Sequence, residues 1–129
     1  FIKKRLDIPQ SVQNRVFDFS DEREINDILF ITDVLVTDYS SVIFENAIVG
    51  NAAVLYAPAL ADYDNGRGFY FDYKNYSCGK IVREQDDLAA AVLGANTTND
   101  YYKAFKSRFV SMCDGNSTKR FVEKILEKE

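Results

Sequence analysis

The stretch DVLVTDYSSVIFE, residues 33–45, decides the fold. Val34, Leu35 and Val36 form a continuous apolar run, which is typical of a buried parallel strand. The run ends in small polar residues, and Ser40 and Ser41 can cap a helix that begins immediately afterwards. These residues therefore predict a strand that leads directly into a helix.

The flanking residues extend this unit to β-α-β-α-β. Residues 15–19 alternate between apolar and polar types and predict a short strand. Asp21 with Glu24 is a capping-box pattern for a helix over 25–29. On the other side, residues 53–56 predict another buried strand. Strands and helices alternating with short connections predict an α/β fold, in which a Rossmann-like parallel sheet is flanked by helices.

The second half of the chain continues with weaker signals. Residues 59–78 predict a loop that contains an aromatic stretch, and residues 80–82 predict a short strand. Residues 84–93 predict a helix that ends at Gly94. C-terminal helices are predicted from about 100 to 128, because apolar residues recur there at helical spacing. These apolar residues are Tyr102, Phe105, Phe109 and Met112 in one helix, and Phe121, Val122, Ile125 and Leu126 in the last.

Length and composition limit the classes of function. The 129 residues fit one domain, and a net charge of −4 argues against a general nucleic-acid binder. Lys3, Lys4 and Arg5 form a small basic cluster, which is either a solvated face or a contact with membrane or phosphate. Cys78 and Cys113 follow no CxxC spacing and the chain has no histidine. We therefore expect reduced thiols in a cytosolic protein, with no zinc and no cofactor.

No apolar run is long enough to cross a bilayer, and we expect no signal peptide. The chain starts at Phe1 rather than at an initiator Met. We therefore expect it to begin inside a longer protein or after processing. If the complete protein is peripheral at the inner face of the cell membrane, we expect that contact to come from regions outside this chain.

The strand-to-helix junction is the candidate binding site. In an open α/β sheet, ligands bind beyond the carboxyl ends of the strands, and a helix N-terminus offers unpaired N–H groups to an anion. Thr37 and Asp38 lie at the end of the strand, while Ser40 and Ser41 add hydroxyl groups, so a diphosphate would fit. The alternatives are that the serines only cap the helix and that Asp38 only bonds to its N-terminus.

Two further residues are candidates for the same site. Glu45, about one turn into the helix, either accepts hydrogen bonds from ribose hydroxyls or is simply exposed. Arg67 lies between two glycines that let the backbone approach a ligand, and its guanidinium suits phosphate. It could equally be a surface arginine in an ordinary turn. Likewise, the aromatic residues after Arg67 either stack on a base or pack in the core.

Residues 37–45, TDYSSVIFE, resemble the TDYSSVIFD/E signature of the CDP-glycerol glycerophosphotransferase family, which includes the teichoic-acid polyol-phosphate polymerases. The similarity runs from about Arg15 to Leu126, and several linked motifs in order are more specific than one serine pair. The other matching segments are DVL (33–35), LYAP (55–58), RGFYFDY (67–73), GKIV (79–82) and DGNS (114–117).

The resemblance implies a GT-B fold with two Rossmann-like domains, of which residues 1–129 would form the distal part of the C-terminal, CDP-polyol-binding domain. Family members transfer glycerol phosphate or ribitol phosphate from CDP-glycerol or CDP-ribitol to a growing polymer and release CMP. The junction at Ser40 and Ser41 would hold the donor diphosphate, and Arg67 would lie in the donor-side loop. The polyol-phosphate acceptor would bind an N-terminal domain outside this chain.

The family's histidines are missing here. One would lie in the N-terminal domain, and another in an Arg-x-His-Pro motif upstream of Phe1. We therefore expect no catalytic residue in this chain and no transferase activity from it in isolation. Asn116 also departs from relatives that have lysine there. Two other functions stay open: the donor domain of a GT-B nucleotide-sugar glycosyltransferase, and a non-catalytic regulatory module of the response-regulator type.

Overall fold

The computed structural model of the protein describes residues 7–126, so the basic cluster Lys3–Arg5 lies outside the described residues. Three parallel strands form one sheet in the order β1-β2-β3: β1 is Val34–Thr37, β2 is Ala52–Tyr56 and β3 is Lys80–Val82. The three strands predicted at 34–36, 53–56 and 80–82 are thus confirmed. In chain order, the helices are α1 (Ile25–Leu29), α2 (Val42–Val49), α3 (Leu60–Gly66), α4 (Leu88–Leu93), α5 (Asp100–Phe105) and α6 (Ser117–Phe121), with 3-10 turns at Gln13–Arg15 and Gln85–Asp87 and π-helical segments at Lys106–Val110 and Val122–Leu126.

The central strand β2 organises two apolar layers. Ala53 and Leu55 face one side, where they pack with residues of α2 and α5. Val54 faces the other side and packs with Val82 and with Ala91 of α4. Successive side chains of a strand point to opposite faces, so a buried strand with helices on both sides must be apolar throughout. The predicted α/β fold, a parallel sheet flanked by helices, is confirmed.

Helix α2 is held at its end by Gly50 and by the side chain of Asn46. Gly50 has φ of +100°, a left-handed conformation that favours glycine, and its N–H donates to the carbonyl of Asn46. The Asn46 side chain is fully buried, and its Nδ2 donates to the carbonyls of Asn51 and Ala52 at 3.1 and 3.3 Å. These bonds fix the short connection from α2 to β2.

The strand predicted at residues 15–19 is wrong. Residues 13–15 form a 3-10 turn, residues 16–19 have no regular structure, and all of them are exposed. An alternating pattern makes a strand only where a neighbouring strand offers hydrogen bonds. The predicted capping box is also wrong, because α1 begins at Ile25 with Glu24 as its N-cap and without a side-chain capping bond.

The loop predicted at residues 59–78 contains a helix. Residues Leu60–Gly66 form α3, although Gly, Asn and Asp have low helix propensity. Tertiary contacts stabilise it, since Leu60 is buried in the core and the ring of Tyr63 stacks on that of Tyr39 with 3.9 Å between centroids. The helix predicted at 84–93 is also altered, because its first part is a 3-10 turn.

The C-terminal helices follow the prediction in part. The side chain of Asn99 accepts a hydrogen bond from the N–H of Tyr102 at 2.9 Å and so caps α5. Tyr102 and Phe105 are buried, but Met112 is exposed and lies beyond the helix, so the predicted apolar face is shorter than expected. In the last helix, Phe121, Ile125 and Leu126 are exposed.

The turn before α6 is fixed by Asp114 and Arg120. The N–H of Asn116 donates to Oδ1 of Asp114 at 3.0 Å, and Nη1 of Arg120 lies 2.8 and 2.9 Å from its two carboxylate oxygens. The backbone hydrogen bond and the guanidinium lower the pKa of Asp114 to about 2. Because the pKa of Asp114 is lower in the folded state than in the unfolded state, its carboxylate stabilises the fold at pH values above the unfolded-state pKa. This stabilisation is lost as the pH falls through the folded-state pKa.

We therefore expect this turn to stay intact at neutral pH and to loosen only as the pH falls from about 4 towards about 2. An NMR titration of the Asp114 carboxylate should give a midpoint well below that of an ordinary aspartate. In Arg120→Ala the midpoint should move upward, towards the ordinary value. A midpoint near the ordinary value in the unmodified chain would contradict this arrangement.

Candidate functional site

The carboxyl ends of the three strands share one edge of the sheet, and Thr37, Asp38, Ser40 and Ser41 lie there. Thr37 ends β1, and the turn Asp38–Ser41 leads into α2. A cleft of about 460 Å³ opens beside this turn. It is lined by Val36, Thr37, Asp38, Tyr39, Tyr56, Pro58 and Ala59, so it lies between the ends of β1 and β2.

The turn presents unpaired backbone donors. Within residues 7–126, the N–H groups of Tyr39, Ser40 and Ser41 have no hydrogen-bond acceptor. Ser40 Oγ accepts from the N–H of Val42 at 3.3 Å, whereas the Ser41 side chain makes no capping bond. The N-terminal end of α2 also carries the positive end of the helix dipole. Consecutive free N–H groups and exposed hydroxyls form a site suited to an oxyanion.

Asp38 and Glu45 bring carboxylates to this turn and to the first part of α2. The Asp38 side chain is exposed at the cleft. Because a carboxylate repels phosphate, Asp38 is better suited to accept a hydrogen bond from a sugar or polyol hydroxyl. Glu45 is half-buried, so the alternative that it is simply exposed does not apply, and its Oε2 is buried without a hydrogen-bond partner in the described part of the chain. Glu45 lines neither the cleft nor the Arg67 groove, and the structure of residues 7–126 gives this buried oxygen no route to a ligand.

Arg67 lies in a neighbouring groove. It is exposed just after α3, in a groove of about 400 Å³ lined by Tyr63, Gly68, Phe69 and Tyr70. Tyr63 stacks on Tyr39, so the groove adjoins the turn through one pair of rings. Gly68 has φ of +72°, a left-handed conformation that favours glycine, and the predicted approach of a ligand to the backbone here stays a prediction.

The aromatic stretch after Arg67 mostly serves packing. Phe69 and Tyr73 stack with ring centroids 4.5 Å apart, and Phe71 lies 4.8 Å from the ring of Phe109. Tyr70 is the exception, because it is fully exposed. Of the two readings of this stretch, packing therefore applies to Phe69, Phe71 and Tyr73, and only Tyr70 has a face free to stack on a ligand.

Sequence reasoning missed Arg83 at this edge. It is exposed and directly follows β3. Burial raises the pKa of the Tyr39 hydroxyl, the charge of Asp38 adds to this shift, and the charge of Arg83 opposes it. The position of Arg83 in the sequence could have predicted this location, because the first residue after a parallel strand lies at the same sheet edge as Asp38.

The described residues offer little for nucleophilic or metal chemistry. Cys78 is buried, and burial raises the pKa of its thiol to about 12, which makes it a poor nucleophile. Cys113 is exposed, and both cysteines are free thiols. Residues 7–126 contain no group of three or more acidic or cysteine side chains placed to hold a metal ion. Over the same range, no helix has the length and apolar character needed to cross a membrane.

Known proteins with similar sequences are polyol-phosphate transferases. The chain is 38% identical over 126 residues to teichoic acid ribitol-phosphate polymerase TarL of Staphylococcus aureus (strain NCTC 8325 / PS 47), covering 98% of this chain and 22% of TarL. It is 39% identical over 117 residues to the teichoic acid glycerol-phosphate transferase of the same strain, covering 87% of this chain and 30% of that protein. The chain thus spans less than a third of these relatives.

A solved structure has the same fold. A variant of the wall teichoic acid polymerase TagF superposes with a TM-score of 0.75 and 29% identity, over 92% of this chain and 30% of that one. Another TagF variant, soaked with CDPG, gives a TM-score of 0.71 over 88% of this chain and 30% of that one. The family model described as CDP-Glycerol:Poly(glycerophosphate) glycerophosphotransferase matches residues 1–127. The chain therefore belongs to this glycerophosphotransferase family.

Proposed function

We propose that this chain is the distal part of the donor-binding domain of a transferase. The complete enzyme moves glycerol phosphate or ribitol phosphate from a CDP-polyol to a teichoic-acid-type or capsular polymer and releases CMP. The observation that carries the proposal is the row of three unpaired N–H groups at Tyr39, Ser40 and Ser41, next to an open cleft. Membership of the family supports the choice of substrate class.

The chemistry explains why such a site is useful. An acceptor hydroxyl attacks the β-phosphorus of the donor, the bond from that phosphorus to the bridging oxygen breaks, and CMP leaves with the added negative charge. A histidine outside this chain takes the proton of the hydroxyl. Donors fixed before the reaction stabilise developing charge without reorganising, and positioning supplies most of the rest. The N–H groups of the turn Tyr39–Ser41 therefore bind the donor diphosphate and stabilise the negative charge that develops on the departing CMP.

The other candidates have separate roles in this proposal. Arg67, in the groove next to the turn, and Arg83, directly after β3, supply positive charge for the phosphates. Thr37 borders the cleft, and Asp38 accepts from a donor hydroxyl. Glu45 is the candidate acceptor for another hydroxyl, such as that of the ribose, through the part of its half-buried side chain that remains accessible. Any membrane contact of the complete enzyme, on the cytoplasmic side, belongs to regions outside this chain.

The alternative donor is a nucleotide-sugar. Glycosyltransferases with two Rossmann-like domains also bind a diphosphate at a helix N-terminus, so geometry alone does not separate the two classes. Family membership favours the polyol phosphate. Titrating CDP-glycerol and CDP-ribitol against UDP-sugars tests this directly. Tighter binding of a UDP-sugar would overturn the proposed substrate class.

The double variant Ser40→Ala/Ser41→Ala should bind CDP-polyol about tenfold more weakly in the complete enzyme. Two hydroxyl contacts to a charged group are lost, while the backbone donors remain. Isothermal calorimetry measures the effect. Ser107→Ala/Ser111→Ala is the matched control, because both of these serines are exposed on or next to the C-terminal helical segment and should leave the affinity unchanged. Equal affinities for all three proteins would refute the anion site.

A further inference from the structure

A buried tyrosine holds the candidate turn in place from a distant part of the chain. The hydroxyl of Tyr73 donates a hydrogen bond of 2.7 Å to the backbone carbonyl of Asp38, 35 residues away in sequence. Tyr73 is only 5% exposed. The bond joins the loop between α3 and β3 to the end of β1.

The ring of Tyr73 has little freedom to move. It stacks on Phe69 with centroids 4.5 Å apart and an interplanar angle of 18°, and it lies 5.9 Å from the ring of Tyr39. Burial raises the pKa of Tyr73 well above its ordinary value, so the hydroxyl remains a donor at any physiological pH. A fixed ring with a permanent donor sets the position of the carbonyl it binds.

Fixing this carbonyl also orients the next N–H group. In a trans peptide the C=O and N–H bonds point in opposite directions, and the described residues contain no cis peptide. The carbonyl of Asp38 points to the buried Tyr73 hydroxyl, so the N–H of Tyr39 points away from it. That N–H is the first of the three unpaired donors.

We propose that Tyr73 is a positioning residue for anion binding, which holds the peptide between Asp38 and Tyr39 so that the N–H groups of the turn face the ligand. This inference rests on the proposed function. It also links two parts of the site, because Tyr73 lies in the same loop as Arg67. The hydrogen bond from Tyr73 and the ring contacts of Tyr39 therefore connect the turn to the loop that carries Arg67.

The test uses the variant Tyr73→Phe in the complete enzyme, with CDP-glycerol and CDP-ribitol as the probes. Phenylalanine keeps the stacked ring and removes only the hydroxyl. The matched control is Tyr102→Phe, because Tyr102 is also buried and its hydroxyl lies 3.5 Å from the carbonyl of Ala47, in the second half of α2. Two readouts apply: the backbone amide resonances of Tyr39–Ser41 without ligand, and the dissociation constant for each CDP-polyol.

We expect Tyr73→Phe to shift the amide resonances of Tyr39 and Ser40 and to weaken binding about fivefold. Tyr102→Phe should leave both readouts unchanged, although each variant loses one buried hydroxyl. Unchanged resonances and affinity in Tyr73→Phe, or equal losses in both variants, would overturn the positioning role. If the unmodified enzyme binds neither CDP-glycerol nor CDP-ribitol, the proposed function fails and a role for Tyr73 in binding fails with it; binding that is equally tight in Tyr73→Phe overturns only the role of Tyr73.

Discussion

Replacing Gly79 by alanine is expected to destabilise the chain by about 3 kcal/mol or more. Gly79 is buried immediately before β3, and a Cβ there would overlap the carbonyl oxygen of Ala53 on β2. The obstacle is backbone of the central strand, so no side chain can move aside to make room. Accommodating the methyl group requires β3 to move away from β2, which breaks the parallel hydrogen bonds between them.

Urea unfolding followed by circular dichroism measures this loss, and Gly66→Ala is the matched control. Gly66 is the last residue of α3, and a Cβ there would meet nothing within 4 Å. Alanine at that position should leave stability unchanged or raise it by up to about 1 kcal/mol. A Gly79→Ala protein with the same unfolding midpoint as the unmodified chain would contradict the observed approach of β3 to β2.

Replacing Phe105 by alanine is expected to cost about 3–5 kcal/mol of folding free energy. Phe105 is completely buried, and its ring lies 5.4 Å from that of Phe44 on α2 and 5.0 Å from that of Phe109. It thus joins the C-terminal helices to the helix that begins at the candidate site. Because typical domains are stable by only 5–15 kcal/mol, this loss should shift the unfolding midpoint strongly.

The control for Phe105 is Phe30→Ala. Phe30 is 73% exposed, so removing its ring should change the free energy of unfolding by no more than about 0.5 kcal/mol. The same urea titration serves both variants. Similar losses of unfolding free energy in Phe30→Ala and Phe105→Ala would contradict the burial of Phe105 in the core.

The central part of the fold could be predicted from sequence because its signals are local. The apolar run at Val34–Val36, the serines after it and the glycine at position 50 act within a few residues of one another. A glycine after a helix acts locally, and a short apolar run bounded by turn residues is typical of a strand in a parallel sheet. The same signals place Thr37, Asp38, Ser40 and Ser41 at one strand end, which is where the structure has them.

The errors occurred where stability depends on distant partners. Residues 15–19 alternate like a strand but pair with none in the described part of the chain. Residues 60–66 contain poor helix formers, yet they form α3 because Leu60 enters the core and Tyr63 stacks on Tyr39. Exposure was one of the two interpretations of Glu45, but packing of α2 buries one of its carboxylate oxygens. None of these contacts can be read from local propensity.

The sequence by itself determined the β-α-β unit, the strand-to-helix junction and, through several motifs in order, the family. Only the tertiary structure decided what surrounds the junction. The register of β2 and β3 brings Gly79 against Ala53, and chain folding brings the Tyr73 hydroxyl to the carbonyl of Asp38. The physical reason is the sequence separation over which each interaction acts. Caps and apolar periodicity act over a few residues, whereas the Tyr73–Asp38 hydrogen bond joins residues 35 apart and forms only after the sheet and its loops have packed.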